Sequence, residues 1–391
     1  MKKGTDRKKR IAMYGHKRIP SREGGIEVVV GELASRMVKL GYQVTCYNRL
    51  GHHVSGKEHD TEQLKNYQGV CLKNVFTINK KGIAAVTSSF FGALCAALGK
   101  YDVVHIHAEG PAAFCWIPKF FGKRVIVTIH GIDHKREKWS GGIGAKFILF
   151  GEKCAVKYAD EIIVLSKAVQ DYFKAVYNRD TVFIPNGVNK PEIREAELIK
   201  KKFGLEKDNY VLFLGRLVPE KGIKYLIEAF KKVKTDKKLV IAGGSSDTLE
   251  YKEEIKELAA KDERIIFTGF VQGQMLEELY SNAYVYVLPS DLEGMPLTLL
   301  EAMSYGNCCL TSDIDECAGV TGEYGVTFQK GNTDELREKL QMLCDEEAAV
   351  QNYKNRASDY ICGKYNWDEV VNKTLSLYWR CEVPVESIAC E

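Results

Sequence analysis

The chain alternates between short apolar runs rich in β-branched residues and longer runs with helical periodicity. Between the first two short runs, IEVVVGELASRMVKLG repeats apolar residues at helical spacing and ends on Gly41, a residue favoured just after a helix. Strands that alternate with helices predict a parallel sheet with helices on both faces. In the first half we predict strands at Arg10–Tyr14, Val44–Tyr47, Val70–Thr77, Val103–His107, Val125–Ile129, Ile162–Leu165 and Val182–Ile184.

The same alternation restarts after a polar stretch rich in Glu and Lys, from Asn189 to Asp208. The fold class is therefore α/β, with two Rossmann-like doubly wound domains, residues 1–190 and 191–364. In open sheets of this kind, ligands bind at the carboxyl ends of the strands, so we expect functional residues in the loops that follow them. The second-half strands are predicted at Tyr210–Leu214, Leu239–Ala242, Ile265–Thr268, Tyr284–Leu288 and Cys308–Thr311, with helices such as Ile223–Lys232, Tyr251–Ala260 and Pro296–Tyr305.

Composition adds an uneven distribution of charge. The 391 residues are 45% hydrophobic and 28% charged, which suits two or three domains and excludes collagen-like, disordered and small disulfide-bonded classes. Residues 1–190 carry 31 Lys and Arg against 16 Asp and Glu, a formal +15, whereas residues 191–391 carry 25 against 36, a formal −11. A basic first half predicts an anionic partner, which charge alone leaves open among nucleic acid, a membrane surface and a phosphorylated substrate.

Two apolar segments indicate where in the cell the protein is located. Gly82–Leu98 is at the lower limit for spanning a bilayer, and its small and hydroxyl side chains predict a helix that is buried or lies on a surface. The run IAMYG after the basic start is too short to direct export, which predicts a cytoplasmic protein. Twelve cysteines without a CxxC pair fit that location and predict small buried side chains rather than disulfides, at Cys46, Cys71, Cys95, Cys115, Cys154, Cys308 and Cys309.

The most informative segment is PSDLEGMPLTLLEAMSYG, from Pro289 to Gly306. A predicted strand ends just before it, and Pro296 stands where a first helical residue would be. Free N–H groups at such a helix start suit a phosphate. Glu301, eight residues after Glu293, is placed to accept hydrogen bonds from a diol such as a ribose. A Glu pair at this spacing is ordinarily solvated, and it is the surrounding residues that favour function.

A second informative segment, GRLVPEKG, runs from Gly215 to Gly222 directly after the first strand of the second domain. Departure of a nucleoside diphosphate from a sugar builds negative charge on the leaving phosphate. Fixed cations there stabilise the transition state more than the ground state, and Arg216 and Lys221 are candidates for that role.

The two segments resemble the donor-binding motifs of glycosyltransferase family 4, retaining enzymes of the GT-B fold that use nucleotide sugars. The pattern E-G-x-P followed by L-x-E-A-M and a Gly is matched from Glu293 to Gly306, and G-R-x-x-x-x-K-G from Gly215 to Gly222. Ile184–Val188 and Tyr365–Tyr378 resemble the family's linker and its final helix. The likeness thus extends from Ile11 to about Arg380, with the tail Cys381–Glu391 unassigned. It implies two domains facing across a cleft, and a helix at about 365–380 that crosses back to the first.

The resemblance also implies roles for individual residues. Glu293 would contact the transferred sugar, Glu301 the ribose, and Arg216 with Lys221 the diphosphate. The backbone around Gly294, Met295, Pro296 and Leu297 would hold sugar or phosphate oxygens. The nucleoside pocket would be lined by Gly243, Gly244, Gly269, Phe270 and Val271, with Gly215 as a further donor-binding residue.

In the first domain, Gly24 and Gly25 lie between the first strand and the first helix, where a glycine pair allows close approach of a ligand. This is not a G-x-G-x-x-G fingerprint, which disfavours a dehydrogenase. The resemblance places these glycines beside the donor, with Arg22 and Glu23 facing the acceptor, and it makes His130 of the TIHG sequence an active-site residue. Of His105 and His107, only His107 lies near enough to a strand end to line the cleft.

We predict neither a metal site nor a cofactor apart from the donor substrate. His105, His107 and His130 lack a completing carboxylate or Cys, and the triplet Asp313-Ile314-Asp315 lies in the wrong place for the metal site of another glycosyltransferase fold. Family chemistry implies transfer with retention, in which the leaving phosphate helps to deprotonate the acceptor. The alternative is a GT-B epimerase or hydrolase. A nucleic-acid binder is disfavoured, because no basic-aromatic module appears.

The segment Tyr14–Arg49 also resembles bacterial enzymes that build exopolysaccharide, capsule or cell-wall glycans on lipid-linked saccharide acceptors. The basic first half suits an anionic membrane surface, and hence a peripheral position on the inner face of the cell membrane. The alternative is solvated charge over ordinary core aromatics. The candidate face consists of Lys2, Lys3, Arg7–Arg10, Lys119, Lys123 and Arg124, with Phe114, Trp116, Phe120 and Phe121.

Overall fold

The computed structural model describes residues 8–51, 63–80, 82–132, 142–244 and 249–380, so the predictions for Lys2, Lys3, Arg7 and the tail Cys381–Glu391 lie outside the described residues. The chain forms two compact α/β units. The first extends to Asn186 and takes in the chain again from Trp367, while the second extends from Gly187 to Asn366. The boundaries predicted from the sequence are at residues 190 and 364.

The first unit contains an eight-stranded sheet in the order β3-β4-β2-β1-β5-β6-β7-β8. Every neighbouring pair is parallel except β3 with β4. The central strands are buried on both faces, which is why they read as continuous apolar runs. The strands are β1 (Arg10–Tyr14), β2 (Gln43–Arg49), β3 (Asn66–Tyr67), β4 (Val70–Val75), β5 (Val103–His107), β6 (Arg124–Ile129), β7 (Glu161–Val164) and β8 (Val182–Phe183).

Helices join these strands and cover the sheet. The segment Gly82–Leu98 is a helix that buries one side and leaves the other at the surface, as its composition predicts. The connecting helices are α1 (Gly25–Lys39), α2 (Ile83–Leu98), α3 (Glu109–Ala112), α4 (Trp116–Phe120), α5 (Ile143–Tyr158) and α6 (Lys167–Tyr177).

The second unit contains a six-stranded sheet, parallel throughout, in the order β11-β10-β9-β12-β13-β14. Its strands are β9 (Tyr210–Leu214), β10 (Lys238–Ala242), β11 (Ile265–Gly269), β12 (Val285–Leu288), β13 (Cys308–Ser312) and β14 (Val326–Phe328). Its helices are α7 (Leu198–Phe203), α8 (Ile223–Phe230), α9 (Leu249–Ala259), α10 (Gln274–Ser281), α11 (Leu297–Ser304), α12 (Asp315–Thr321), α13 (Thr333–Asp345) and α14 (Glu347–Lys364).

The last described helix, α15 (Trp367–Trp379), belongs to the first unit. Arg36 of α1 forms an ion pair with Asp368 at 2.7 Å, and the guanidinium of Arg124 donates two hydrogen bonds to the carbonyl oxygen of Leu377. Tyr378 is buried beneath the sheet and contacts His105 at 2.5 Å. These contacts fix the end of the chain to the unit in which it began.

Two sequence expectations about individual side chains are wrong. Cys95 is exposed, because it lies on the outer side of α2, and Cys71 is half-buried, whereas Cys46, Cys115, Cys154, Cys308 and Cys309 are buried as predicted. Arg124 does not belong to an open basic face, because its side chain is largely enclosed by the contacts with α15 and Glu161. None of the helices in the described ranges is both long enough and apolar enough to cross a membrane.

Candidate functional site

In the second sheet, the order in which successive strands are added reverses direction between β9 and β12. From β9 the chain passes to β10 and β11 on one side, and then returns to place β12 on the other side of β9. At such a switch point the loops after two neighbouring strands diverge and leave a crevice for a ligand. Here those loops are Gly215–Gly222 and Pro289–Pro296, the two segments that carry the sequence motifs.

Glycine allows these two loops to touch. Gly222 has φ +65°, and a Cβ there would lie 1.9 Å from the carbonyl oxygen of Pro289. The backbone N–H of Asp291 donates to the carbonyl oxygen of Glu220 at 2.9 Å, which joins the loops directly. Any side chain at 222 would push the loops apart, so the residue type is dictated by packing as well as by conformation.

The ends of β9, β10 and β11 are packed just as closely. Gly243 has φ +147°, and a Cβ there would lie 1.8 Å from the carbonyl oxygen of Gly215. The N–H of Gly243 donates to the carbonyl oxygen of Gly269 at 2.9 Å. The half-buried residues Phe270 and Val271 follow immediately. The structure therefore brings together, at the carboxyl ends of these strands, the residues predicted for a nucleoside pocket and the predicted donor-binding residue Gly215.

A buried ion pair connects the two motif loops. Lys221 Nζ contacts Glu293 Oε1, and the side chains are only 11% and 8% exposed. Ser290 Oγ donates to the same carboxylate oxygen at 2.7 Å, and Ser312 Oγ on β13 donates to the carbonyl oxygen of Ser290 at 2.5 Å. The sequence motifs predict separate contacts for Lys221 with phosphate and for Glu293 with sugar, and they do not predict that the two side chains form an ion pair.

Arg216 is held quite differently from Lys221. Its side chain is 47% exposed, and its guanidinium lies 3.9 Å from Glu220 Oε1. Glu220 is buried, but the guanidinium is about half exposed and at the limit of ion-pair distance, so this contact contributes little to stability. The site thus combines a cation neutralised by a buried carboxylate with one that remains accessible to an anionic ligand.

The start of α11 provides backbone donors beside this pair. The helix begins at Leu297, and Pro296 precedes it as the N-cap residue rather than as the first helical residue, which corrects the sequence interpretation. Pro296 restricts the direction of the backbone and has no N–H group of its own. The backbone N–H groups around it belong to Gly294, Met295 and Leu297. N–H groups in a first helical turn have no partner within their own helix and carry the positive end of its dipole.

Glu301 lies on the second turn of α11, and α10 positions it. Tyr280 Oη donates to Glu301 Oε2 at 3.2 Å, and the Tyr280 ring stacks on Tyr305 with centroids 5.2 Å apart. Tyr280 is almost completely buried, so its hydroxyl has little freedom. Neither Tyr280 nor Ser290 is predicted from the sequence, because a single Tyr or Ser forms no motif with a recognisable spacing.

In the first unit, Gly24 is the N-cap residue of α1 and Gly25 its first helical residue. The side chain of Glu27 accepts a hydrogen bond from the N–H of Lys17 at 2.8 Å, which ties the loop after β1 to the helix start. Of the residues predicted to face an acceptor, Arg22 is exposed and Glu23 is buried.

His130 directly follows β6, as predicted, and is half-buried. His107, predicted to line a cleft, is instead completely buried and contacts the ring of His130. Across the described ranges, no group of three or more His, Cys, Asp or Glu side chains has a geometry that could hold a metal ion.

Two family models match this chain. Residues 195–360 match the model described as glycosyl transferases group 1, and residues 23–190 match glycosyltransferase family 4. An uncharacterized glycosyltransferase of Methanocaldococcus jannaschii is 26% identical over 399 aligned residues, covering 94% of this chain and 97% of the relative. The N,N'-diacetylbacillosaminyl-diphospho-undecaprenol alpha-1,3-N-acetylgalactosaminyltransferase of Campylobacter jejuni is 25% identical, covering 80% and 82%.

The fold is shared with solved structures. Anabaena HepE, in a structure that contains UDP and glucose, superposes with a TM-score of 0.79 at 15% identity, covering 95% of this chain and all of the other. The two parallel-sheet units therefore form a GT-B fold. Together with the two matched models, which span most of the chain, this establishes that the protein is a glycosyltransferase of family 4.

Proposed function

We propose that the protein transfers a sugar, with retention at the anomeric carbon, from a nucleoside-diphosphate sugar to a saccharide acceptor in glycan assembly. The single observation that carries the proposal is the convergence of Arg216, the Lys221–Glu293 pair and the start of α11 at the switch point of the second sheet. Cations and oriented N–H groups are suited to bind a diphosphate. The carboxylates of Glu293 and Glu301 are suited to accept hydrogen bonds from the hydroxyl groups of a nucleotide sugar.

The chemistry we assign follows from the charges. When the bond from the anomeric carbon to the phosphate breaks, negative charge grows on the diphosphate oxygens. Arg216, Lys221 and the N–H groups of Gly294, Met295 and Leu297 stabilise that charge where it develops. The leaving phosphate takes the proton of the acceptor hydroxyl, so a pair of carboxylates at glycosidase spacing is not needed. Glu293 accepts hydrogen bonds from the transferred sugar.

We assign nucleoside recognition to Glu301 and the strand-end loops with Gly215, Gly243, Phe270 and Val271. Glu301 is held by Tyr280, and a fixed carboxylate is suited to accept two hydrogen bonds from a ribose diol. In the first unit, Gly24, Gly25 and His130 are the proposed substrate contacts. The presence of UDP in the HepE structure supports a nucleotide donor.

Replacing Glu301 by Ala tests the donor site. We expect a nucleoside diphosphate at 100 times its dissociation constant to stabilise the wild type by about 2.7 kcal/mol, a melting shift of roughly 5–11 °C for a unit of this size. The measurement is thermal unfolding with UDP, GDP, ADP and dTDP, on wild type, Glu301→Ala and Glu338→Ala, an exposed carboxylate of α13. The shift should occur with one nucleotide, vanish in Glu301→Ala and persist in Glu338→Ala. Equal shifts in all three proteins would contradict the assignment of Glu301.

We further propose that the acceptor is linked to a lipid and that the first unit rests on an anionic membrane. The name of the Campylobacter relative includes a diphospho-undecaprenol acceptor, which supports the first part. Helix α2 carries no charged residue, and it exposes Ile83, Phe90 and Leu98 along one side. Contacts between aromatic rings continue this surface, from Phe76 through Phe91 and Phe90 to Phe114 and Phe147.

Neighbouring helices extend the apolar surface. Phe120 of α4 and Ile143 of α5 are 85% and 89% exposed, and Trp116 and Phe150 are about half exposed. Lys119 and Lys123 carry charge nearby, although each is already bonded, Lys119 to Asp160 and Lys123 to two backbone carbonyl oxygens. Membrane contact is therefore proposed to rest on aromatic and aliphatic insertion more than on these lysines.

Liposome flotation tests this surface. We expect the wild type to float with vesicles that contain anionic lipid, and the double variant Phe120→Ser/Ile143→Ser to float several-fold less, because two largely exposed apolar side chains are lost at little cost to the core. The control Val176→Ser removes an exposed apolar side chain from α6. Flotation that is equal for all three proteins, or absent for the wild type, would remove the membrane proposal and leave the donor site untouched.

A further inference from the structure

Three histidine rings lie side by side at the ends of two neighbouring strands. In the parallel pair of β5 and β6, His107 is in register with Thr128, so His130 lies two residues further along on the same face as Thr128. The ring centroid of His107 lies 4.1 Å from that of His105 and 5.4 Å from that of His130. The Nδ1 atom of His107 and the Nε2 atom of His130 are 3.1 Å apart, a hydrogen bond.

His105 has both of its ring nitrogens engaged elsewhere. Its Nδ1 lies 2.5 Å from Tyr378 Oη, and its Nε2 lies 2.7 Å from Thr128 Oγ1. Burial lowers the pKa of His105 to about 3, so the ring is neutral at physiological pH. Both ring nitrogens of His105 therefore form hydrogen bonds with Tyr378 and Thr128, and neither can form a hydrogen bond with His107.

Within the described part of the chain, only one of the two ring nitrogens of His107 has a hydrogen-bond partner. Its Nε2 is buried and has no hydrogen-bond partner among the residues that the structure describes. Burial, followed by the proximity of His105, His130 and His16, lowers the pKa of His107 well below its usual value. The neutral ring carries a single N–H, which has to be on one nitrogen or the other.

The position of that hydrogen follows from the cost of burying an unpaired group. Buried N–H groups without an acceptor are rarer in proteins than acceptors that lack a donor. The hydrogen of His107 is therefore on Nδ1, where it donates to His130, and the bare Nε2 is a buried acceptor without a donor among the described residues. His130 Nε2 must then be the acceptor.

We propose that His107 is a positioning residue that holds His130 in the tautomer with its hydrogen on Nδ1. A neutral imidazole has one donor and one acceptor, so any group that His130 contacts through Nδ1 must accept a hydrogen bond. In the proposed reaction, that group is a sugar or phosphate oxygen, and Nδ1 is unable to act as a base. The last step rests on the proposed function, whereas the tautomer itself does not.

The test is long-range ¹H–¹⁵N spectroscopy of full-length protein with ¹⁵N-labelled histidine at pH 7.5, in which the nitrogen shifts report the tautomer directly. The His130 signals are assigned by their disappearance in His130→Asn. We expect the wild type to show His130 with a protonated Nδ1 and a bare Nε2. A hydrogen on Nε2, or on both nitrogens, would overturn the proposal. Since the tautomer is read from the wild-type spectrum and only the assignment uses His130→Asn, failure of a His107 variant to fold does not remove the test.

Two variants then examine the role of His107. His107→Leu removes the donor, and we expect both tautomers of His130 to appear. His107→Gln retains an amide N–H, and we expect it to keep His130 in the Nδ1–H form and to retain more turnover than His107→Leu. An unchanged His130 tautomer in His107→Leu would overturn the positioning role. Because none of these spectra needs a nucleotide, they are independent of whether the proposed donor site is correct.

Discussion

Glu293→Gln is expected to lower kcat by about two to three orders of magnitude and, at the same time, to tighten binding of the nucleoside diphosphate. The first effect follows from loss of a carboxylate that accepts hydrogen bonds from the transferred sugar, comparable to the loss of one preorganised polar group. The tighter binding of the diphosphate follows from the buried ion pair between Lys221 and Glu293. In the structure Glu293 neutralises Lys221, so an incoming diphosphate has to compete with a carboxylate for the ammonium group.

The same substitution has a cost for the fold. It leaves Lys221 buried without a charged partner, and breaking such a pair costs about 3–5 kcal/mol when it is fully buried. A diphosphate restores a counterion, so its stabilising effect should be larger in the variant than in the wild type. For this reason Glu293→Gln is a better test than Glu293→Ala, since the amide also retains the volume and an acceptor for Ser290.

The measurements are kcat with the donor identified by thermal shift, and calorimetric titration with its nucleoside diphosphate. The control is Glu250→Gln, a change of a first-turn carboxylate on α9. Wild-type turnover in Glu293→Gln would contradict the assignment of Glu293 to the sugar. Unchanged or weaker diphosphate binding, in a variant that remains folded, would contradict the competition between Glu293 and the phosphate for Lys221.

Arg216→Ala is expected to reduce kcat/KM by about 10²–10³-fold while leaving the fold intact, because the lost cation acts where phosphate charge develops. Stability should change little, since the side chain is half exposed and approaches Glu220 only to 3.9 Å. Because Lys differs from Arg in its hydrogen-bonding fork, Arg216→Lys should recover only part of the loss.

Lys224→Ala is the matched control for Arg216. Lys224 is also an exposed cation of this unit, on α8 just beyond the loop, and it forms an ion pair with Glu254. Steady-state kinetics of the three variants, with thermal unfolding to confirm folding, should show a large loss only at Arg216. Comparable rates in Arg216→Ala and Lys224→Ala would show that net charge, and not a fixed diphosphate contact, accounts for the contribution of Arg216.

The sheets could be predicted largely from sequence, because strands buried on both faces read as uninterrupted apolar runs. The predictions for β1, β5 and β9 agree with the structure at both ends. The strands that were missed, β3 and β14, have two and three residues, too few to show a pattern. Sequence patterns locate the ends of helices less precisely than their interiors. Pro296 is therefore predicted as the first residue of α11, whereas it is the N-cap residue that precedes the helix.

Part of the candidate site depends on contacts that no local pattern encodes. The motifs indicate that Lys221 and Glu293 matter, but their pairing depends on β9 and β12 being neighbours in the sheet although they are far apart in sequence. Tyr280 reaches Glu301 from another helix. The sequence predicts that His107 lines a cleft because it lies near a strand end, whereas it is completely buried beside His105 and His130. Long-range packing decides each of these outcomes.

The most direct test of the donor site is calorimetric titration of the wild type with the nucleoside diphosphate and the corresponding monophosphate. We predict that one diphosphate binds at least about tenfold more tightly than its monophosphate, a difference of roughly 1.4 kcal/mol, because only the diphosphate reaches the cations of the switch-point loops. The difference should disappear in Arg216→Ala. Equal affinity for both nucleotides, or no binding of any nucleotide, would contradict the placement of the donor diphosphate at Arg216, Lys221 and α11.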